Sequence, residues 1–465
     1  MRATRLEKTT PLSRIFTGLI LTAVLNIPAF AQVSSNVELL ATMNHRPLFP
    51  YNDCWGYTAP DGREYALLGS TNGTSIIDIT DVNNLREIDF VPSINTVWKD
   101  IKTYQNYAYV VTDGQGNGMQ ILDLSTLPDS VRFVTTYRGN GFRLSHNIHI
   151  DVPNAMLYAI GEAGELVRAI SLADPENPTQ VSFFGFECHD IYARDNIVYV
   201  AEGSRGTIAI YNLTNPQTPV LMTRIPIPSA GYAHNCWLDP SGNYLITTEE
   251  TIGKTVKYWD IRDLNDIKLV GEYLAPDNLA HNAHINGDYA YISHYTDGLR
   301  IVDLRDPQNI HEAGFYDTFT GTSFTPFDGA WGTYPFFASG KILISDISSG
   351  LYVVRFTPLS TGIANNEIPG DFALLQNYPN PFNPATVIPY RLPQTATVSL
   401  VIFNTNGQRI RTLLHGQQNA GQRSAVWDGT DDKGQVVPAG IYYFQMRAEG
   451  NGFSFREVKK GILIK

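Results

Sequence analysis

Charged residues are scarce in this 465-residue sequence, where Asp, Glu, Lys and Arg together make up 17% of the positions. Helix-favouring charge is therefore low, whereas 25 Tyr, 38 Gly and 27 Pro residues suit many short strands and turns. The formal net charge of −11 argues against a general basic surface for nucleic acid or anionic lipid. We therefore expect a mainly β protein with no nucleic-acid partner.

Long apolar runs are also missing, apart from one at the beginning of the chain. Four basic residues precede an apolar run at 15–27, and Ala29-Phe30-Ala31 forms an A-x-A cleavage site. This order predicts a secretory signal peptide at residues 1–31. A membrane anchor is the alternative, which the short run disfavours because it ends at Pro28. No transmembrane span is expected in the mature chain.

Only three cysteines occur, Cys54, Cys188 and Cys236. Secretion would expose them to an oxidising compartment, and their odd number leaves at least one unpaired. The favoured interpretation is three buried packing residues, with a reactive thiol or a disulfide as the alternative. If a disulfide forms, we expect it between Cys188 and Cys236, because they lie in adjoining units of the sequence repeat described next.

Those repeats are strand-and-turn units, clearest at 298–307, which reads Gly-Leu-Arg-Ile-Val-Asp-Leu-Arg-Asp-Pro. In each unit apolar residues form a strand, and the polar residue that ends it can bond its own backbone into a turn. Six clear units end at Asp78, Asp123, Ser171, Asn212, Asp260 and Asp303, and a degenerate seventh spans 351–356. A spacing of roughly 40 to 50 residues is typical of propeller blades.

Each unit is flanked by further strand patterns, such as 281–285 and 289–293 before the clearest unit and 311–316 after it. Four strands per repeat predict a seven-bladed β-propeller over residues 36–357. The seventh repeat lacks a fourth strand, and residues 38–43 have that pattern without a repeat of their own. We expect them to pair there and close the ring. A six-bladed ring is the alternative.

The Ile-Val-Asp-Leu units resemble the LVIVD repeat of the secreted proteins called choice-of-anchor B, over roughly residues 36–357. A WD40 assignment is not supported, because Trp259-Asp260 is the one unit with that dipeptide. The resemblance implies a surface propeller joined to one of several interchangeable C-terminal anchors. It implies no known reaction.

A second domain is predicted at residues 372–465, after a polar linker at 358–371. Its alternating strands and Asn-Gly and Asp-Gly turns predict a small Ig-like β-sandwich, so the fold class is all-β. The acidic stretch 428–434 favours an ordinary turn over a calcium loop. The segments that resemble the type A sorting domain of the type IX secretion system are 377–384, 390–393, 398–404, 427–430, 439–443 and 459–465. This resemblance implies the type IX machinery as a partner, export across an outer membrane, and a secreted or cell-surface location.

Candidate site residues recur at one place in the first strand of each repeat. Four repeats carry a His-Asx pair there, namely His146-Asn147, His189-Asp190, His234-Asn235 and His281-Asn282. The corresponding acids of the other repeats are Asp53, Asp100 and Asp328, and His149 and His284 follow two of the pairs. First strands line a propeller axis, so these side chains should converge on a polar, aromatic-rimmed tunnel. Alternatively, each pair satisfies the same backbone group in every blade.

Two classes of function follow from this column of His and Asx residues along the predicted axis. The favoured one is a binding or interaction scaffold whose extracellular ligand is unknown. The alternative is a secreted enzyme at the axial mouth, with copper or zinc held by His146, His189, His234 and His281. No nucleophile elbow, phosphate loop, zincin helix or dinucleotide fingerprint accompanies the column. The sequence therefore identifies neither a catalytic residue nor a cofactor.

Overall fold

The computed structural model of the chain describes residues 34–114, 116–160, 166–276, 279–319, 321, 325–358, 371–377, 380, 382, 386–418, 420–450 and 452–464. The predicted signal peptide and residues 359–370 of the predicted linker lie outside this part of the chain. No helix in the described ranges has the length and hydropathy needed to cross a membrane.

Between residues 34 and 356, the described residues form short strands joined by turns, with two single-turn 3-10 helices at Gly139–Gly141 and Val152–Asn154. The strands are β1 (Ser34–Ser35), β2 (Val37–Met43), β3 (Tyr51–Thr58), β4 (Glu64–Ser70), β5 (Gly73–Asp78), β6 (Arg86–Pro92), β7 (Lys99–Tyr104), β8 (Tyr107–Thr112), β9 (Met119–Asp123), β10 (Arg132–Tyr137), β11 (Ile148–Asp151), β12 (Met156–Ile160), β13 (Val167–Ser171), β14 (Thr179–Phe184), β15 (Asp190–Arg194), β16 (Ile197–Ala201), β17 (Thr207–Asn212), β18 (Val220–Pro226), β19 (Ala233–Leu238), β20 (Tyr244–Glu249), β21 (Val256–Asp260), β22 (Lys268–Tyr273), β23 (Ala283–Asn286), β24 (Tyr289–Ser293), β25 (Leu299–Asp303), β26 (His311–Tyr316), β27 (Ala330–Tyr334), β28 (Lys341–Asp346) and β29 (Gly350–Phe356).

In the described part of the chain these strands build seven antiparallel sheets. From β3 to β26 each sheet takes four consecutive strands, and β27, β28 and β29 form the last sheet together with β2. The first strands of neighbouring sheets contact one another in the cyclic order β3, β7, β11, β15, β19, β23, β27 and back to β3. The sheets are therefore the blades of a closed ring, and the prediction of an all-β propeller is confirmed.

The N-terminal strand closes this ring as the sequence predicts. Strand β2 pairs antiparallel with β29, so that Val37 lies opposite Phe356 and Met43 opposite Leu351. Strand β1 pairs with β26 of the preceding blade. The first ten described residues therefore join two blades and cover the edge that β29 would otherwise expose.

The repeated turn has the chemistry expected from the sequence. The carboxylate that ends a third strand accepts a hydrogen bond from the backbone N–H two residues later, as between Asp78 and Thr80 or Asp303 and Arg305. The bond fixes the chain reversal at the end of the strand. It recurs at Asn212, whose side-chain oxygen accepts from the N–H of Thr214.

The three cysteines are packing residues. Cys54, Cys188 and Cys236 are buried and unpaired. Each belongs to an apolar cluster between or within blades. Burial raises the pKa of Cys188 to about 12, so its thiol stays protonated and unreactive at neutral pH.

The described residues of the C-terminal region form two further antiparallel sheets. Their strands are β30 (Ala373–Leu374), β31 (Thr386–Leu392), β32 (Ala396–Asn404), β33 (Arg409–Gln418), β34 (Gly421–Trp427), β35 (Gly440–Gly450) and β36 (Phe453–Leu463). One sheet has the order β30-β31-β34 and the other β33-β32-β35-β36, with Trp427 and Phe444 fully buried in a shared core. In the acidic turn, Asp431 accepts bonds from the backbone N–H groups of Lys433 and Gln435, as an ordinary turn requires.

Candidate functional site

Six side-chain rings form a closed circle around the axis, which we call the axial ring. Its members are His146, His189, His234, His281, Trp331 and Trp98. Neighbouring centroids lie 4.2 to 4.7 Å apart around most of the circle and 6.0 Å apart between Trp98 and His146. The structure thus brings together the four histidines selected from the sequence.

Two members of the axial ring, His234 and Trp331, lie in β-bulges. In β19 the register shifts between Ala233 and Asn235, so His234 is an extra residue with no partner on β20. In β27 the same shift surrounds Trp331. An unpaired bulge residue can turn its side chain away from the regular pleat, here towards the axis.

The sequence-based prediction of Asp328 as an axial residue is wrong. Trp331 occupies the place that we assigned to Asp328, three residues earlier in the chain. The Asp328 carboxylate instead accepts bonds from the Ser348 hydroxyl and the Gly329 N–H. Asp328 is therefore a turn residue of the seventh blade and not a member of the axial ring.

The axial Asp and Asn side chains join neighbouring blades. Asp100 Oδ2 accepts from the backbone N–H of Ile148 at 2.6 Å, and Asn235 Oδ1 accepts from that of Ala283 at 3.0 Å. Asn235 also donates through Nδ2 to Asp190 Oδ2 at 2.7 Å. Each bond crosses from one first strand to the next, as expected if the pairs have a structural role.

Burial and Lys102 have opposite effects on the pKa values of three axial carboxyl groups. Its ammonium contacts Asp100, lies 3.7 Å from Asp53 Oδ2 and sits 4.3 Å above the Trp55 ring. Burial raises the pKa of Asp53 well above its usual range, despite Lys102. Burial also raises the pKa of Asp190 to about 7. For Asp100, Lys102 and hydrogen bonds outweigh burial and lower the pKa.

Backbone carbonyls orient two histidines of the axial ring, His189 and His281. His189 Nδ1 lies 3.1 Å from the His234 oxygen, and His281 Nδ1 lies 2.6 Å from the Trp331 oxygen. Nδ1 must carry the proton in both contacts, which leaves Nε2 with a free lone pair. Burial lowers the pKa of His189 and of His281 to about 3, so neither is charged at neutral pH.

His149 and His284 lie in a separate aromatic layer. The His149 ring is 4.7 Å from Tyr192, and the His284 ring is 4.6 Å from Trp237. Burial lowers the pKa of both histidines to about 3. These two predicted site residues therefore pack against aromatic rings instead of joining the axial ring.

A carboxyl group that our sequence analysis missed approaches the axial ring. Glu250 Oε2 lies 3.8 Å from His234 Nε2, and the Tyr295 hydroxyl donates to Glu250 Oε1. Potential ligand atoms of His234, Glu250 and His281 all lie within 4.8 Å of one another. Glu250 directly follows β20, the second strand of its blade, so a search of first strands could not find it.

A small cavity lies against the axial ring. Its volume is about 10 Å³, enough for roughly one water-sized particle. It is lined by Asp53, Trp98, Lys99, His146, Asn147, His234, His281, Asn282 and Trp331. Asn147 and Asn282 thus reach the same space as three of the histidines.

Comparisons with known proteins match separate parts of this chain. The LVIVD repeat matches residues 98–134 and 279–318, and the FlgD Ig-like domain matches residues 383–452. No curated protein matches the chain significantly. Among solved structures, the chain is similar to that of PorZ, described as an essential bacterial surface component of the type IX secretion system of Porphyromonas gingivalis.

The likeness to PorZ is distant, with 15% sequence identity and a TM-score of 0.43. It covers 87% of this chain, and this chain spans 58% of the length of that one. The repeat and domain matches confirm that LVIVD repeats are present in the propeller and that the C-terminal sandwich is Ig-like.

Proposed function

We propose that this protein is a secreted or cell-surface β-propeller that acts as a binding scaffold for an extracellular ligand or protein. The observation that carries the proposal is the bonding of Asp100 and Asn235 to backbone groups of the next blade. The polar axis thereby joins the blades into a rigid ring. Such a ring holds its connecting loops in fixed positions, where they can bind a partner.

Binding to intact cells tests the scaffold role. We expect labelled, purified protein to bind saturably to cells of the producing species that lack its gene, and excess unlabelled protein to compete. An unrelated secreted β-propeller of similar net charge is the control, because net charge alone can cause non-specific adhesion. Binding that rises linearly and is not displaced would count against a specific surface partner.

Export through the type IX secretion system is the second part of the proposal, with the C-terminal domain as the sorting signal. It is supported by the ordered resemblance of residues 377–465 to the type A sorting domain and by the Ig-like match within that region. The resemblance to choice-of-anchor B proteins supports the same surface location.

Removal of residues 372–465 tests whether the C-terminal domain is the sorting signal. We expect the truncated propeller to fold but to stay in the periplasm, because its core is built without the C-terminal strands. The matched control replaces the domain by an unrelated β-sandwich of similar size. Equal surface or medium levels of truncated, control and full-length protein would contradict the proposal.

A secreted enzyme at the axial mouth is the second candidate. The observation that favours it is the approach of Glu250 to His234 and His281. Saturable binding to cells that persists after treatment of the protein with a chelator would favour the scaffold.

A further inference from the structure

Two blades contribute side chains to one potential ligand set beside the axial ring. His234 lies in β19 and Glu250 follows β20 of the same blade, whereas His281 precedes β23 of the next. His234 and His281 are 1% and 3% exposed. Two imidazoles and one carboxylate at this spacing are a donor set typical of zinc sites.

Hydrogen bonds outside this set orient its donor atoms. The backbone oxygen of Trp331 accepts from His281 Nδ1, so His281 Nε2 keeps its lone pair for a ligand. The Tyr295 hydroxyl holds Glu250 Oε1, so Oε2 remains on the side of His234. Metal-binding histidines and carboxylates depend on outer partners of this kind, which fix the ring tautomer and the carboxylate orientation.

The size of the site selects an ion over an organic molecule. The adjoining cavity, lined by His234 and His281, has a volume of about 10 Å³. The Trp331 and Tyr295 rings lie 4.5 and 4.9 Å from the His281 ring and close this side of the site. One dehydrated ion or one water molecule fits such a space, whereas a sugar or a peptide side chain does not.

We propose that His234, Glu250 and His281 bind one Zn²⁺ ion between the fifth and sixth blades. Zinc bonds of 2.0 to 2.2 Å place ligand atoms roughly 3.3 Å apart. His234 Nε2 and Glu250 Oε2 are 3.8 Å apart, and the ligand atoms of all three residues, which lie within 4.8 Å of one another, must move together when the ion binds. The three ligands leave one position of the tetrahedron open. His146 and His189 remain outside the set, in contrast to a four-histidine site.

Zinc titration of the untagged, chelator-treated mature chain tests the proposal. We expect one Zn²⁺ per chain in competition with a chromophoric chelator, and a zinc-dependent rise in melting temperature because the ion binds the folded state. Co²⁺ substitution should give the visible absorption bands of a four-coordinate site.

The decisive variant is Glu250→Gln, which removes the ligand charge but keeps an oxygen for the Tyr295 hydroxyl. We expect its zinc affinity to fall at least 100-fold while its melting temperature without metal is unchanged. Tyr295→Phe should weaken zinc by roughly 10-fold, as loss of an orienting partner does. The matched control is His146→Ala, which alters the same axial ring and should retain full affinity.

Two results would overturn the proposal. One is the absence of stoichiometric zinc binding by the wild-type chain. The other is a Glu250→Gln variant that binds normally while His146→Ala does not, which would assign the ion to the four-histidine ring. Both results can be read even if His234→Ala or His281→Ala fails to fold, because neither substitution is needed.

Discussion

Replacement of Asp190 by Asn should change the pH dependence of stability. Asp190 is 6% exposed, and burial raises its pKa from 3.8 to about 7. A raised pKa means that the folded chain holds the proton more tightly than the unfolded chain. The favourable contribution is therefore complete below pH 4 and is lost as pH rises through 7. An amide cannot ionise, so the variant avoids this loss.

The magnitude follows from the pKa difference. Each pKa unit corresponds to 1.36 kcal/mol, so a rise from 3.8 to about 7 amounts to about 4 kcal/mol in unfolding free energy at pH 8. The amide also replaces an oxygen that accepts from Asn235, which costs about 1 kcal/mol at every pH. We therefore expect Asp190→Asn to destabilise the protein slightly at pH 4 and to stabilise it by about 3 kcal/mol at pH 8.

Urea unfolding of both proteins at half-unit pH steps between 4 and 8 measures this difference. Asp195→Asn is the matched control, because the Asp195 side chain is 75% exposed and its substitution should leave the difference flat. A constant difference between Asp190→Asn and wild type across this range would refute the reasoning. It would mean that Asp190 ionises as an ordinary surface carboxyl group does.

Two further predictions concern the joints of the ring. Deletion of Val37–Met43 should lower the unfolding free energy by several kcal/mol, because β29 loses its pairing with β2 and the contacts of the buried Val37 side chain. A chain trimmed only to residue 33 is the control, and equal melting temperatures of the two would argue against closure of the ring by β2. Asn235→Ala should cost about 2 to 4 kcal/mol in urea unfolding, since it removes the donor to Asp190 Oδ2 and the acceptor of the Ala283 N–H. Asn265→Ala in an exposed turn should cost much less.

The fold could be predicted from sequence because its determinants are local. A strand ended by an Asp that bonds the backbone two residues later is a short-range device, and it recurs with a fixed spacing. Closure by β2 was predictable for a different reason. The seventh repeat lacks a fourth strand, and residues 38–43 have a strand pattern without a repeat of their own, so the second supplies what the first lacks.

Register within a first strand could not be predicted in the same way. The sequence pattern places Asp328 at the axial position of the seventh blade, but in the structure that position belongs to Trp331, the bulged residue of β27 three positions later. A bulge inserts one extra residue into a strand, while the segments before and after it still alternate apolar and polar residues. The sequence pattern therefore does not show where the bulge lies. His234 occupies a bulge as well, yet its alignment was correct because His-Asn marked the position.

The chemistry of the site depends on residues that break the repeat. Asp53, Asp100 and Asp190 hold one place in three blades, yet burial raises the pKa of Asp53 and Asp190 whereas Lys102 lowers that of Asp100. Among the described first strands, only β7 carries a lysine at the place of Lys102, and Glu250 directly follows the second strand of its blade. Symmetric positions bring side chains to the axis, and a residue that differs between blades decides which of them is charged or able to bind an ion. Functional variants of this ring should therefore be sought at Lys102, Glu250 and Trp331 before the repeated His-Asx pairs.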